Sequence, residues 1–442
     1  MGLAGAPGEL VLISLRHRAT NFCAYIAAAV TLICSGVLFS PVADVEEETR
    51  ARQRGHHSRL RVALVSEFFY PTLGGIQDHL CFFARQLIRQ GHQPTIITPH
   101  VFGSGEFHNW WPKDLPKSIY RPVGYSLPLF INGSLGRTTV GGGVARQLRA
   151  LLTPDHFDLV HLHSPLAGTL PILAVANASV PLVGTFHTSF SGSTLLQVAR
   201  PLAQKQLDAL AAVIAVSPIS LASIGRYFSI DATIIPNGID TALFRPWWEG
   251  DDDRLERFRD GRINIFFIGR PDPRNGLDAL IRAFARVHAA APETRLLIAG
   301  DGEGMGDYRS MAAKLLRAES VAFLGAVRDE RPQLYRTADI QVFGVERAAF
   351  SVTMLEGMSS GLPLVTSTWR GHDYMGNAGE HFVTTPFDDD AALERMLLVY
   401  VRDANARREL GERARAHALG YEWKIIADRI LAVYHQVTTV NA

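Results

Sequence analysis

The chain consists of short, continuously apolar runs separated by stretches in which apolar residues recur at helical spacing. From about Leu60 the runs are LRVALVS, PTIITP, DLVHLH, PLVGTFH, AVIAVS and TIIPNG. After the polar stretch Thr241–Arg262 they are INIFFIGR, RLLIAGDGEG, VAFLGAV, IQVFG and LPLVTS. Apolar strands that alternate with helices are typical of parallel sheets covered on both faces. The pattern predicts an α/β protein with two doubly wound, Rossmann-like domains that face each other across a cleft.

The same pattern sets the expected domain boundaries. Residues 58–240 form the first domain, 241–262 a linker and 263–420 the second domain, and a C-terminal helix over 421–442 packs back across the domain boundary. Residues 1–57 form an extension whose apolar segment, 22–39, contains no charged residue. This segment is long enough for a membrane span and slightly long for a signal-peptide core. An anchor, a leader outside the folded body and a start codon assigned too early all remain open.

Composition bears on the partners of the chain and on its redox setting. The formal net charge is +1, so no basic excess indicates a nucleic-acid partner. Three cysteines, two of them in the apolar N-terminal segment, give no disulfide framework, which favours a reducing, cytosolic setting for the main body.

Polar or small residues stand at the ends of several predicted strands, where doubly wound sheets bind ligands. His187 ends the run PLVGTFH. A core histidine with a hydrogen-bond partner is the alternative interpretation, but the other strand ends favour a functional one. These carry Gly74-Gly75, His163, Asn237-Gly238 and Gly269-Arg270.

Two of these strand ends suit a phosphate. Gly75 opens a helix whose first N–H groups and positive dipole end favour an anion, although a plain tight turn is the alternative. The absence of G-x-G-x-x-G disfavours a dinucleotide enzyme. The Arg270 guanidinium can grip a diphosphate with two parallel hydrogen bonds, unless it is a plain surface arginine. Arg274 is a candidate second cation.

The stretch AAFSVTMLEGMSSGLPLV predicts a turn and a helix start. Backbone N–H groups of Ser351, Val352 and Thr353 are candidates for holding phosphate oxygens. Glu356, one turn later, is a candidate acceptor for a ribose hydroxyl, with a solvated helix carboxylate as the alternative.

A polar, glycine-rich loop is predicted at 131–143, with Asn132, Ser134 and Arg137 as its polar residues. The helix that follows, VARQLRALL, has an apolar face flanked by arginines. It could rest on an anionic membrane, although ordinary core packing is the default. His161 and His163 alternate on one strand face, but no third metal ligand is evident.

Together, YPTLGGIQDHL, HLHSP, GTFHTS, IPNGID, FIGR and LEGMSSGLPLV resemble glycosyltransferase family 4, whose members have the GT-B fold. The resemblance runs from about residue 60 to 440 and is greatest to the bacterial phosphatidyl-myo-inositol mannosyltransferases. It implies retaining transfer of a hexose, expected to be mannose from GDP-mannose, to a lipid-linked or phosphate-bearing acceptor such as phosphatidylinositol. The nucleotide sugar is then a substrate, and neither a cofactor nor a metal is required.

The resemblance also implies roles for individual residues. His187 would lie beside the donor sugar, Arg270 would neutralise the leaving diphosphate, and Glu356 would bind the ribose. Gly75 and Gln77 would lie between donor and acceptor.

On the acceptor side, Asn132, Ser134 and Arg137 would bind an acceptor phosphate. The resemblance further implies a cytoplasmic enzyme at the inner face of the cell membrane, docked peripherally or through the N-terminal segment.

Three positions depart from the family pattern. Ala348 replaces a glutamate that contacts the donor sugar, Asn275 replaces a lysine beside the diphosphate, and Gly192 replaces a basic residue on the acceptor side. These departures keep two alternatives open: a non-catalytic module that binds nucleotide sugars, and a nucleotide-sugar epimerase on the same fold.

Overall fold

A computed structural model describes residues 59–70, 74–101, 111–131, 134–189, 197–248, 255–258, 260–344, 348–369 and 371–440. These residues divide into two compact units. The first lies within Met1–Thr185, Leu195–Val213 and Val433–Ala442, and the second within Phe186–Thr194 and Ile214–Ala432. The apolar segment 22–39 lies outside the described residues. Among the helices that are described, none is both long and apolar enough to cross a bilayer.

The first sheet has eight strands in the order β4-β3-β2-β1-β5-β6-β7-β8. Its strands are β1 (Arg61–Ser66), β2 (Gln93–Val101), β3 (Tyr120–Ile131), β4 (Ser134–Val140), β5 (Leu159–His163), β6 (Leu182–Phe186), β7 (Ala212–Ala215) and β8 (Thr233–Ile234). The helices in this part of the chain are α1 (Gly75–Arg89), α2 (Val144–Leu151), α3 (Thr169–Asn177), α4 (Arg200–Asp208) and α5 (Pro218–Gly225). Strand β1 pairs in parallel with both β2 and β5, whereas β3 and β4 are antiparallel.

The β3–β4 hairpin corrects the prediction of a loop at 131–143. Residues Ser134–Val140 form a strand that pairs along its whole length with β3. The β-branched residues at its end, Thr138 to Val140, are typical of a strand. The glycines and polar residues of the stretch around them are typical of a loop, and so the sequence predicted one. Pairing with β3, and not the local composition, therefore determines that these residues form a strand.

Helix α2 packs into the core of the first unit. Val144, Leu148 and Leu152 are all buried there, against residues of β5 and α3. The apolar face of this helix is therefore covered by protein, and the alternative that it rests on a membrane is wrong.

The second sheet has six strands in the order β11-β10-β9-β12-β13-β14, and its pairings are parallel. Its strands are β9 (Ile263–Ile268), β10 (Thr294–Ala299), β11 (Val321–Gly325), β12 (Ile340–Phe343), β13 (Leu364–Ser367) and β14 (Val383–Thr385). The helices are α6 (Leu277–Ala290), α7 (Met305–Leu315), α8 (Arg331–Thr337), α9 (Val352–Ser359), α10 (His372–Met375), α11 (Asp390–Arg402), α12 (Ala404–Ala418) and α13 (Trp423–Val440). Short 3₁₀ turns lie at Lys117–Ile119, Glu256–Phe258, Pro273–Asn275, Ala318–Ser320 and Leu419–Tyr421.

The core of the second unit lies between the second sheet and its helices. Phe267 of β9 and Phe284 of α6 are fully buried in it. Burial of one such side chain contributes roughly 1.5–3 kcal/mol relative to exposure. The helix predicted from Leu277 begins at that residue, so this prediction is confirmed.

Both sheets reverse their strand order at the first strand. β1 lies between β2 and β5, and β9 lies between β10 and β12. At such a reversal the connecting helices leave toward opposite faces, which opens a crevice beyond the carboxyl ends of the two central strands. Two parallel-sheet α/β units with this topology confirm the predicted fold class.

The chain is packed tightly just beyond β9 and β10. Gly300 has φ +136°, and a Cβ at this position would overlap the Gly269 carbonyl oxygen. Only glycine fits there, so the backbone next to Arg270 depends on this close approach.

Gly300→Ala is expected to lower the free energy of unfolding by at least about 2 kcal/mol, because it adds both a steric clash and backbone strain. Urea unfolding of the two proteins measures the loss. Gly306→Ala, in α7, is the matched control, because a Cβ there has open space. The control is expected to be neutral or stabilising by up to about 1 kcal/mol. Equal stabilities of the two variants would contradict the packing described.

Candidate active site

Arg270 stands two residues beyond β9, at the reversal point of the second sheet, and its side chain is exposed. Its carbonyl oxygen accepts a hydrogen bond from the Asn275 side-chain amide at 3.0 Å and one from the Asp272 N–H at 2.8 Å. These bonds fix the backbone of Arg270. Asn275, which stands where the family pattern has a lysine, therefore stabilises the loop that carries the candidate diphosphate ligand.

Arg274 is already paired with a carboxylate. Its Nε donates to Asp272 Oδ1 at 2.8 Å, and a second contact joins its Nη2 to Oδ2. Hydrogen bonding to Arg274 lowers the pKa of Asp272. The charge of Arg274 is thus balanced within the loop, whereas its proposed contact with a diphosphate stays a prediction.

The N-terminus of α9 opens at the same reversal point, because β12, which precedes it, pairs with β9. Ser351 caps the helix, and its hydroxyl accepts a hydrogen bond from the Met354 N–H at 3.2 Å. Val352 and Thr353 supply first-turn N–H groups at the positive end of the helix dipole. This part of the second unit combines a cation with backbone donors, the groups that hold phosphates in proteins.

Glu356 of α9 is buried, with 3% of its surface exposed. Its carboxylate forms an ion pair with Arg331 at 3.1 Å and accepts a hydrogen bond from the Tyr335 hydroxyl at 2.9 Å. The alternative of a solvated helix carboxylate is therefore wrong. Sequence reasoning missed both partners, since nothing in the spacing links α8 to α9.

In the first unit, Gly75 begins α1 and Gln77 is buried in the first turn of that helix. The Gln77 side chain folds back over Gly74, since a Cβ on Gly74 would lie 2.9 Å from Gln77 Oε1. Tyr70 donates to the Asp78 carboxylate at 2.6 Å and ties the segment before α1 to the helix.

Ser164, directly beyond β5, was not singled out from the sequence. Among the described non-glycine residues it alone has a positive φ, of 60°. Its N–H donates to the Thr185 carbonyl at 2.7 Å, which holds this conformation in place. Backbone strain of this kind concentrates at functional sites, and β5 borders the reversal point of the first sheet.

Glu67, directly beyond β1, was also missed by sequence reasoning. It is buried, its carboxylate accepts from the Thr139 hydroxyl at 2.7 Å, and it accepts from the Leu170 N–H at 2.9 Å. Burial raises the pKa of Glu67 to about 7, against the lowering effects of these bonds and of the Arg137 charge. Gly168, with φ +82°, leaves the space that the Glu67 side chain fills.

The candidate acceptor residues lie at the β3–β4 hairpin. Arg137 Nη1 donates to the Ser126 hydroxyl at 3.1 Å, so the guanidinium is held against β3. Ser134 begins β4, whereas Asn132 and Gly192 lie outside the described residues. The structure thus brings Arg137 close to Glu67, through Thr139 two residues further along β4.

His187 follows β6 directly and is half-buried. The Ser220 hydroxyl lies 3.0 Å from the Phe186 carbonyl oxygen and 3.1 Å from that of Thr188, so it can donate to either. The buried Ser220 therefore holds the backbone next to His187.

His161 is a core histidine. Its Nδ1 lies 2.6 Å from the Tyr434 hydroxyl, its Nε2 lies 2.6 Å from the Thr185 hydroxyl, and burial lowers its pKa to about 3. With both nitrogens engaged, it is not available to a metal. His163 instead packs against His79, with ring centroids 5.2 Å apart. The expectation that catalysis needs no metal stays a prediction.

Two family models match the chain in succession. Residues 73–243 match Glycosyltransferase Family 4, and residues 251–417 match Glycosyl transferases group 1. A phosphatidyl-myo-inositol mannosyltransferase of Propionibacterium freudenreichii subsp. shermanii is 30% identical over 386 residues, which are 85% of this chain and 94% of that protein. The chain belongs to glycosyltransferase family 4.

Other curated relatives of this family 4 glycosyltransferase carry related names. The phosphatidyl-myo-inositol mannosyltransferase of Mycolicibacterium smegmatis is 29% identical, over 86% of this chain and 94% of that protein. A D-inositol 3-phosphate glycosyltransferase of Salinispora arenicola is 28% identical, over 82% of this chain and 87% of that protein.

Solved structures bear out the GT-B fold of the family 4 enzyme. A glycosyltransferase from Rickettsia africae superposes with a TM-score of 0.68 at 16% identity, covering 86% of this chain and 99% of that one. Anabaena Alr3699/HepE, solved in complex with UDP, gives a TM-score of 0.65 at 18% identity, covering 85% and 100%.

Glu67 gives the family 4 enzyme a specific dependence of stability on pH. Between pH 4.5 and 7, a carboxyl whose pKa is 4.5 when unfolded and about 7 in the folded state takes up a proton on folding. The folded state therefore binds more protons than the unfolded state, and the contribution of Glu67 to stability falls as pH rises through this window.

Glu67→Gln is expected to remove this loss, because the amide does not titrate. Between pH 4.5 and 7.5 the unfolding free energy of the variant should rise relative to wild type by up to about 3 kcal/mol, at about 1.4 kcal/mol per unit of pKa. Urea unfolding at several pH values measures the difference, with the exposed Glu303→Gln as control. A difference that stays constant with pH would contradict a raised pKa at Glu67.

Proposed function

We propose that the enzyme transfers mannose from GDP-mannose to phosphatidylinositol, or to a similar phosphate-bearing polyol lipid, with retention of the anomeric configuration. The observation that carries this proposal is the combination of a cation, Arg270, with a capped helix N-terminus at the reversal point of the second sheet. The names of the curated relatives, which specify mannose and phosphatidyl-myo-inositol, support the choice of sugar and acceptor.

The donor diphosphate is the leaving group of this reaction. As the bond between the anomeric carbon and the diphosphate oxygen breaks, negative charge grows on the diphosphate. Arg270 can stabilise this charge through two parallel hydrogen bonds, and the N–H groups of Val352 and Thr353 add donors that are already oriented. The acceptor hydroxyl forms the new bond on the same face of the sugar, and its proton passes to the departing phosphate oxygen.

His187 is assigned to the donor sugar by the family resemblance. A half-buried imidazole at a strand end, with its backbone fixed by Ser220, is suited to hold a sugar hydroxyl in one orientation. Positioning of this kind lowers the barrier without proton transfer by the histidine.

On the acceptor side, Arg137 supplies a guanidinium for the phosphate of the acceptor, with Asn132 and Ser134 completing the site by resemblance. A lipid acceptor requires the enzyme to work at a membrane surface, which we assign to the inner face of the cell membrane. Gln77, buried in the first turn of α1, is assigned to the acceptor by the same resemblance.

One observation favours a second candidate, a module that binds nucleotide sugars without transferring them. Ala348 leaves the donor sugar without the carboxylate of the family pattern, and Asn275 is used to fix the Arg270 loop. In such a module the diphosphate site would persist while transfer is lost.

Nucleotide binding tests the donor site directly. GDP, UDP and ADP are added in turn to the full chain, and its thermal unfolding is followed. At one hundred times its dissociation constant, the nucleotide of the donor should add about 2.7 kcal/mol of stability. We expect GDP to give the largest effect. The absence of any response in a folded sample would contradict a nucleotide-sugar substrate.

His187→Ala is expected to lower turnover with GDP-mannose by about 10²-fold or more, while stabilisation by GDP is retained. Turnover is measured as hexose transferred to phosphatidylinositol vesicles. The exposed His156→Ala is the matched control and should keep wild-type turnover. Wild-type turnover in His187→Ala would show that the histidine has no role in the reaction.

A further inference from the structure

A buried ion pair joins α8 to α9 in the second unit. The Glu356 side chain is 4% exposed, and that of Arg331 is 20% exposed. A carboxylate removed from water is strongly destabilised unless a cation or several donors compensate for the lost hydration, and otherwise it takes up a proton. Arg331 supplies this compensation at 3.1 Å from Glu356 Oε1.

The second carboxylate oxygen has a partner from the same helix. The Tyr335 hydroxyl donates to Glu356 Oε2 at 2.9 Å. Arg331 and Tyr335 are four residues apart, so they lie on one face of α8. Burial raises the pKa of Tyr335 well above its ordinary value, so its hydroxyl remains a donor at neutral pH.

Aromatic packing holds both partners in place. The Arg331 guanidinium lies 5.4 Å from the centroid of the Phe244 ring. Phe244 in turn packs edge-on against Tyr335, with centroids 5.6 Å apart and ring planes at 83°. Such cation–π and edge-to-face contacts fix the donors, and through them the plane of the carboxylate.

We propose that Arg331 and Tyr335 are positioning residues for nucleotide recognition: they keep Glu356 ionised and oriented so that its carboxylate accepts hydrogen bonds from the ribose hydroxyls of the donor. This inference rests on the proposed function, in which Glu356 binds the ribose. An ionised carboxylate is an acceptor only, whereas a protonated one would turn one oxygen into a donor. Recognition of a ribose by Glu356 therefore depends on α8.

Binding of GDP and of 2′-deoxy-GDP to the full chain, followed by calorimetry, tests the inference. Wild type should prefer GDP. Arg331→Met and Tyr335→Phe should weaken GDP binding, by about tenfold or more for the arginine. They should weaken 2′-deoxy-GDP binding less, because that nucleotide keeps only the 3′-hydroxyl. The ribose preference should therefore shrink, as it should in Glu356→Gln. Arg331→Lys, which keeps the charge, should retain most of the preference.

The controls separate the possible failures. Arg317→Met, at an exposed position, should leave both affinities unchanged. If a folded Arg331→Met keeps the full preference for GDP, the ion pair is only structural and the inference is overturned. If Arg331→Met does not fold, Tyr335→Phe and Arg331→Lys decide by the same preference. If wild type binds neither nucleotide, the proposed function itself fails.

Discussion

Strands β1 and β9 each lie inside a sheet, between two strands that run parallel to them, and the chain leaves each one to one side and later returns on the other. Because connections between parallel strands are right-handed, this reversal sends successive helices to opposite faces of the sheet. The carboxyl ends of the central strands are then left uncovered. Side chains that follow these strand ends are accessible to a ligand, while the strands that carry them stay hydrogen-bonded in the sheet. The candidate site residues Arg270 and Gly75 follow these two strands.

A buried carboxylate also lies at each reversal point, and the two differ in how the protein compensates their charge. Glu67 accepts from a hydroxyl and a backbone N–H, and burial outweighs these bonds, so its pKa rises. Glu356 has a guanidinium at contact distance, so its charge is compensated where it lies. Glu67 links β1, β4 and α3 through the Thr139 hydroxyl and the Leu170 N–H. A permanently compensated carboxylate suits the recognition of hydroxyl groups.

The sequence predicted well those elements that local pattern decides. The apolar runs located β1, β2 and β5 to β13, but none of them corresponds to β3, β4 or β14. The helix at Leu277 begins where the pattern places it. The order of the motifs also identified the family. The hairpin strand β4 was missed because its stability comes from pairing with β3 and not from the composition of its own segment.

Contacts between side chains that are distant in sequence could not be predicted from the sequence. Thr139 and Glu67 are 72 residues apart, and Tyr335 and Glu356 are 21 apart on different helices. No periodicity connects such pairs, because they meet only once the sheet has set the positions of its helices. The same holds for Ser164, whose N–H donates to the carbonyl of Thr185, 21 residues further along the chain.

The central claim is that this family 4 chain moves a hexose from a nucleotide sugar to an inositol lipid. Its most direct test is mass spectrometry of phosphatidylinositol vesicles incubated with the full chain and GDP-mannose. We expect a lipid heavier by one hexose, formed only when both substrates and the protein are present. A chain that binds GDP but leaves phosphatidylinositol unmodified would contradict the claim and favour the binding module.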